Sequence, residues 1–177
     1  MSATQLLIER NSARPLSNQP LPVEPSLRAL VLTCADHRVD PAHILGLGLG
    51  EAVVIRNAGG RVTPGVMNDF AVLVTVAAIE GLGSGFELVV MHHTDCGTSR
   101  LAGPEYVPLL AGYFGVDAEA VAAKCVTDPQ ASVRADLDLL RANPFIPRTL
   151  VVSGVVYDVV TGIAEVVCPP EPMGTRD

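Results

Sequence analysis

Tryptophan is missing from this chain, and aromatic residues of all kinds make up only 4% of it, so platforms for stacking bases or sugar rings are poorly supplied. Basic residues are also short, 12 against 19 acidic ones, for a formal charge of -7. Such a chain repels a phosphate backbone, and nucleic acid is not an expected partner. No apolar run approaches the length of a membrane span, and the opening stretch MSATQLLIERNSARPLSNQP lacks the basic and apolar segments of an export signal. A cytoplasmic protein that does not engage a membrane is expected, with a small molecule as its substrate. Cysteine is sparse too: Cys34, Cys96, Cys125 and Cys168. Without an export signal, these read as thiols or metal ligands rather than as a disulfide framework.

What is present supports one packed unit. A chain of 177 residues that is 49% hydrophobic can bury a core as a single domain. Residues 1–26 are polar, and Pro15, Pro20, Pro22 and Pro25 forbid a continuous helix through the second half of that stretch. This predicts an N-terminal arm over 1–26 and a single domain over 27–177. RALVLT, AVVI at 52–55 and ELVVMH at 87–92 are short apolar runs suited to strands covered on both faces. Between the last two, residues 65–83 have the length of a helix, with Gly81 or Gly83 to stop it. Strand, helix, strand implies parallel pairing. Residues 117–125 and 128–143 also read as helical, the latter with Asp128 as N-cap and Pro129 in the first turn. RTLVVSGVVYDVVTGIAEVVC reads as two strands around a Thr161-Gly162 turn. The expected fold class is α/β: a mainly parallel central sheet flanked by helices, with a C-terminal antiparallel edge strand. Its ligand site should lie beyond the carboxyl ends of the parallel strands.

Reactive residues gather at those ends. Cys34 stands where the first strand stops, in LTCADHRVD, and HHTDCG begins where the third stops. The two groups meet if these strands are neighbours about 4.8 Å apart. Cys34, His93 and Cys96 then offer two thiolates and an imidazole, a set suited to tetrahedral zinc. Asp36 could fill the fourth position and close the site, or Arg38 could pair with Asp36 and leave room for water. His92 competes with His93, but adjacent residues of an extended segment point to opposite sides, and the interval from His93 to Cys96 suits a tight turn. His93 is therefore preferred. His92, His37 and His43 are expected to support the site or sit satisfied in the interior.

CADHR followed by HTDCG resembles the paired pattern of the beta-class carbonic anhydrases, Cys-x-Asp-x-Arg and then His-x-x-Cys-Gly. The likeness extends through GEAVVIRNAGG and PFIPRTLVVSGVVYDVVTG, from about residue 27 to 167. It implies zinc held by Cys34, His93 and Cys96, an Asp36-Arg38 dyad, and a parallel sheet whose active sites lie near a homodimer interface, alone or as a dimer of dimers. It also implies the reaction: a zinc-bound water of pKa about 7 gives a hydroxide that attacks carbon dioxide to yield bicarbonate. Asp36, ionised beside Arg38, would aim that hydroxide, or would shut the site by moving onto zinc at low pH or with bicarbonate. Many members carry a Gln shortly before the first motif that helps hold bicarbonate, whereas VEPSLRALVLTC has Pro25 in about that place. The Pro variant and RNAGG look more like the archaeal-type and mycobacterial branch, which shades into carbonyl sulfide hydrolases.

Two rivals share the residues. One is hydrolysis of carbonyl sulfide or carbon disulfide at the same zinc, discriminated by apolar side chains along NAGGRVTPGV or TSRLAGPEY. The other is a noncatalytic zinc or redox-sensing domain, with Asp36 fixed in the fourth position or Cys34 and Cys96 cycling through oxidation. The Asp36-Arg38 pairing argues against a purely structural zinc. Cys125 and Cys168 lack the spacing of cluster ligands and read as ordinary thiols. GLGLGE reads as a turn into the second strand, after a short helix begun by Asp40-Pro41. Gly59 and Gly60 permit a close backbone approach, while Arg56 or Arg61 either attracts an anion or is solvated. Asp136 and Asp138, interleaved with Arg134 and Arg141, read as an exposed helical face. The aliphatic residues of 66–82 read as core or subunit interface.

Overall fold

The computed structural model describes residues 1–14 and 20–174. Pro15, part of the predicted arm, and the last three positions of the predicted domain lie outside them. Five strands form the central sheet: β1 (Ala29–Cys34), β2 (Ala52–Asn57), β3 (Glu87–His93), β4 (Val151–Tyr157) and β5 (Ala164–Pro172), in the order β2-β1-β3-β4-β5. The first four run parallel and β5 pairs antiparallel with β4. This is the expected mixed sheet with its antiparallel edge. The helices are α1 (Ala3–Ser12), α2 (Pro41–Ile44), α3 (Pro64–Ile79), α4 (Val107–Phe114), α5 (Ala118–Ala122) and α6 (Pro129–Ala142).

Local chemistry accounts for most boundaries. Pro64 opens α3 behind an N-cap, Thr63, whose hydroxyl accepts from the Val66 amide, and the helix ends just before Gly81 at φ 66. Asp128 caps α6 by accepting from the Ala131 amide, with Pro129 in its first turn. Asp40 caps α2 in the same way, ahead of Pro41. The β4–β5 turn closes on Gly162, whose amide donates to the Asp158 carbonyl at 2.8 Å. Two helices go beyond the pattern reading. α1 begins with a capping box of Ser2 and Gln5, yet none of its residues is buried. α4 carries the apolar sequence VPLLAGYF without a side-chain cap.

The core lies between the sheet and α6. Val133, Leu137 and Leu140 recur at helical spacing and pack with Leu88, Val90, Val152 and Val156 from the strands. α6 lies close on β4 at Gly154, where an added Cβ would come within 2.3 Å of Val133 Cγ1. β1 sits centrally, and the chain passes from it to β2 on one side and then to β3 on the other. That reversal makes the carboxyl ends of β1 and β3 the topological switch point, where ligands of such sheets bind.

Candidate metal centre

The register between β1 and β3 pairs Thr33 with Met91, so Cys34 and the two histidines reach the same end of the sheet. The chain then turns through Thr94 and Asp95 into Cys96, ahead of a short 3-10 turn over Gly97–Ala102. Cys34, His93 and Cys96 are all buried, and their ligand atoms lie within 4.8 Å of one another. The two sulfurs are 3.9 Å apart, where sulfurs each about 2.3 Å from a tetrahedral zinc would stand about 3.8 Å apart. His93 Nδ1–H donates to the Thr94 carbonyl at 2.9 Å. Its Nε2 is buried without a hydrogen-bond partner, an arrangement that leaves a lone pair for a metal. The donor set and this orphaned nitrogen fit a metal ion.

Electrostatics agree with that fit. Left to themselves, the two thiols share a proton. Cys34, which donates it to Cys96 and is buried, is raised, while Cys96, which accepts from Cys34 and is bonded by Thr98, is lowered. Burial pushes His93 down, but the negative charge at Cys96 beside it and the Thr94 carbonyl outweigh this and leave it raised. A divalent cation would relieve the crowding of two sulfurs that cannot both ionise at this distance. Val39 and Val126 pack against the cysteines, with Ile44, Tyr157 and Val159 around them, so the surroundings are apolar.

Asp36 stands beside this group but outside it. Arg38 grips its carboxylate in a fork, donating from Nη2 to Oδ2 at 2.7 Å and from Nε to Oδ1 at 3.0 Å, while the Arg38 amide donates to Oδ1 at 2.9 Å. The Arg38 guanidinium holds the Asp36 carboxyl well below the usual carboxylate range. Arg38 is itself anchored by Asp95, which accepts through its carboxylate at 2.7 Å and its carbonyl at 2.9 Å. Arg38 pulls the Asp95 carboxyl down, helped by Arg100. Asp95 adopts φ 51, a left-handed conformation uncommon outside glycine, and nothing in its spacing marks it beforehand as the anchor of Arg38.

Several expectations need correction. Asp136 is not on an exposed face: it is fully buried, bonded to His92 and Arg61. The alternation of charges hid its period, since it lies three residues after Val133 and four before Leu140, on the apolar stripe of α6. Asp138 and Arg134 are exposed as expected. His92 is buried and satisfied as anticipated, but His37, whose Nδ1 lies 3.7 Å from Asp36 Oδ1, has a side chain 94% exposed and His43 is exposed, so neither is an interior histidine. The two arginines are neither free for an anion nor solvated. Arg56 donates to the Cys34 and Asp36 carbonyls and to Asp40, and thus staples the CADHR segment to β2. Arg61 is occupied by Asp136.

Comparison with known proteins agrees with this geometry. The family model described as carbonic anhydrase matches residues 29–107. The chain is 33% identical over 150 residues to beta-carbonic anhydrase 1 of Mycobacterium tuberculosis, covering 85% of this chain and 88% of that protein. It is 29% identical over 158 residues to a carbon disulfide hydrolase of Acidianus, covering 76% of this chain and 74% of that one. The crystal structure of a carbonic anhydrase from Streptococcus mutans superposes with a TM-score of 0.74 at 38% identity, over 94% of this chain and 98% of that chain. With these identities sustained over most of both partners, the chain belongs to the beta-carbonic anhydrase family.

Proposed function

We propose that this protein catalyses the reversible hydration of carbon dioxide to bicarbonate and a proton at a zinc ion held by Cys34, His93 and Cys96. The observation that carries the reading is the combination of a three-ligand group, including an orphaned His93 Nε2, with a carboxylate held off it by Arg38. Zinc, when bound there, supplies a water acidified to a pKa of about 7. The chain's own part is positional. Asp36, kept ionised by Arg38, accepts a hydrogen bond beside the fourth position and orients the donor there. Asp95 holds Arg38 in place, and Val39, Val126 and Tyr157 keep the surroundings apolar, which suits an uncharged linear gas. Release of Asp36 from Arg38 at low pH or with bicarbonate would shut the site.

The same residues would serve carbonyl sulfide or carbon disulfide, and one similar protein is a carbon disulfide hydrolase. Initial rates on all three gases, with zinc quantified in the same sample, test the assignment. Carbon dioxide turnover far above the other two is expected. Turnover of a sulfur gas alone would overturn it, and no turnover with zinc fully loaded would favour a noncatalytic site.

We also propose that the domain over 27–177 works as a homodimer, alone or within a dimer of dimers. Helix α3 buries only Val66 and Phe70, leaving Val72 and Ile79 at 63% and 78% exposure. A helix apolar on nearly every side needs cover. Its C-terminal half also lines a groove of about 570 Å³ with Leu30, Phe86 and Leu150, at the end of the sheet opposite the cysteines. Light scattering should return twice the 18.5 kDa chain mass or more, and a monomer at micromolar concentration would refute the proposal. No helix among the described residues is long and apolar enough to cross a membrane. We place the enzyme in the cytoplasm, a reading that cell fractionation would check.

A further inference from the structure

Behind the two cysteines lies a buried charged cluster that packing alone does not explain. Asp136, on α6, is the one carboxylate among the buried side chains of the described residues. His92 stands between it and the turn at Gly59. Its Nδ1–H donates to the Gly59 carbonyl at 3.0 Å, and its Nε2 lies 2.8 Å from Asp136 Oδ2. Arg61 Nε donates to Asp136 Oδ1 at 3.1 Å. Taking such groups out of water costs stability, and apolar side chains of similar volume would join α6 to the sheet at least as well. The cluster must therefore be judged by what it holds.

It holds a turn that lies against Cys34 and, through Thr98, reaches toward Cys96. The Gly59 carbonyl faces His92, while the Gly59 amide is directed toward the Cys34 thiol. A Cβ on Gly59 would stand 3.4 Å from Thr98 Oγ1. That hydroxyl accepts from the Val126 amide at 3.2 Å, so its proton is left to donate to Cys96 Sγ, also at 3.2 Å. The next residue, Gly60, lies against the end of β1, where a Cβ would come within 2.8 Å of the Cys34 nitrogen. Meanwhile His92 directly precedes His93, so the same ring tethers the strand that delivers the imidazole.

We propose that Asp136, acting through His92, is a positioning residue for the metal centre: it fixes the Gly59–Gly60 turn and thereby sets the spacing and hydrogen bonding of Cys34 and Cys96. This rests on reading Cys34, His93 and Cys96 as a metal site, but not on which gas is processed there. Arg61 keeps the Asp136 carboxylate oriented toward His92. The role is exerted from a helix that contributes no ligand.

The test compares Asp136→Asn with Leu140→Ala, a core change on the same helix, in the full chain. Two quantities are read: the zinc dissociation constant by competition with a chromophoric chelator, and the visible spectrum of the cobalt-loaded protein, which reports thiolate geometry. Asp136→Asn should weaken zinc binding about 10- to 100-fold and shift the cobalt bands. Leu140→Ala should keep both wild-type values despite a lower unfolding midpoint. If Asp136→Asn does not fold, His92→Gln carries the same expectation. Wild-type affinity and spectrum in the folded Asp136 or His92 variant would overturn the proposal, as would an equal loss in Leu140→Ala or a wild-type chain that takes up neither metal. Carbon dioxide hydration enters neither readout, so failure of the activity assignment leaves this result standing.

Discussion

Replacing Gly60 with Ala should damage the metal centre from outside its ligand set. Gly60 has φ 69, and a Cβ there would lie 2.8 Å from the Cys34 nitrogen, 2.8 Å from the Thr33 carbonyl carbon and 3.2 Å from Thr33 Cα. These are backbone atoms of the central strand, which cannot swing aside as a side-chain tip would. The left-handed conformation costs alanine about 1 kcal/mol, and overpacking adds about 1–3 kcal/mol. A total of about 2–4 kcal/mol lowers the Tm of a domain this size by roughly 5–15 °C. Gly81 supplies the control: its φ of 66 is equally left-handed, but nothing lies within 4 Å of its Cβ position. Gly81→Ala should therefore lose only about 1 kcal/mol, or roughly 2–4 °C, and bind zinc normally. Calorimetry of the metal-free proteins, with zinc titration of each, reads both effects. Equal melting shifts, or normal zinc affinity in Gly60→Ala, would refute the argument that this turn braces Cys34.

Arg38→Ala should keep zinc but lose turnover by about 100-fold, because Asp36 is then free to occupy the fourth position; unchanged kcat with full zinc would contradict the gate. The same variant has a pH signature. Asp36 and Asp95 both ionise below their ordinary range because of Arg38, so the stability they contribute is present above about pH 4 and lost as pH falls through their depressed values. Urea unfolding of wild type and Arg38→Ala should differ at pH 7 and converge at the lowest pH where both remain folded; a gap that persists undiminished in acid would exclude this pairing as its source. Gly154→Ala should be among the most destabilising small changes in the chain, since its Cβ would lie 2.3 Å from Val133 Cγ1 and 3.0 Å from Cys168 Cβ. A loss of about 1–3 kcal/mol or more is expected in chemical denaturation, and a neutral result would mean that α6 moves off the sheet freely.

Much of the site was legible because its chemistry sits where period and topology coincide. Cys34 and His93 close apolar runs, so adjacency of two parallel strands was enough to bring them together. The hairpin followed from Thr161-Gly162, and α6 followed from Asp128-Pro129. Asp136 was not legible, because interleaved charges imitate a solvated surface even when one of them falls on the apolar stripe. Its partners, His92 and Arg61, are 44 and 75 residues away in sequence, so no local pattern links them. Arg56 shows the same difficulty: three bonds to the Cys34, Asp36 and Asp40 region come from the facing strand. The α4 helix, short and apolar, has no side-chain cap at its N-terminus to announce it.

The central claim is that Cys34, His93 and Cys96 bind zinc while Arg38 keeps Asp36 away from the fourth position. A crystal structure of zinc-loaded protein at pH 8, with anomalous data across the zinc edge, tests it most directly. The predicted result is one anomalous peak about 2.3 Å from both sulfurs and about 2.0–2.1 Å from His93 Nε2, with the Asp36 carboxylate still forked by Arg38. A peak elsewhere, or Asp36 bound to zinc at that pH, would contradict the account.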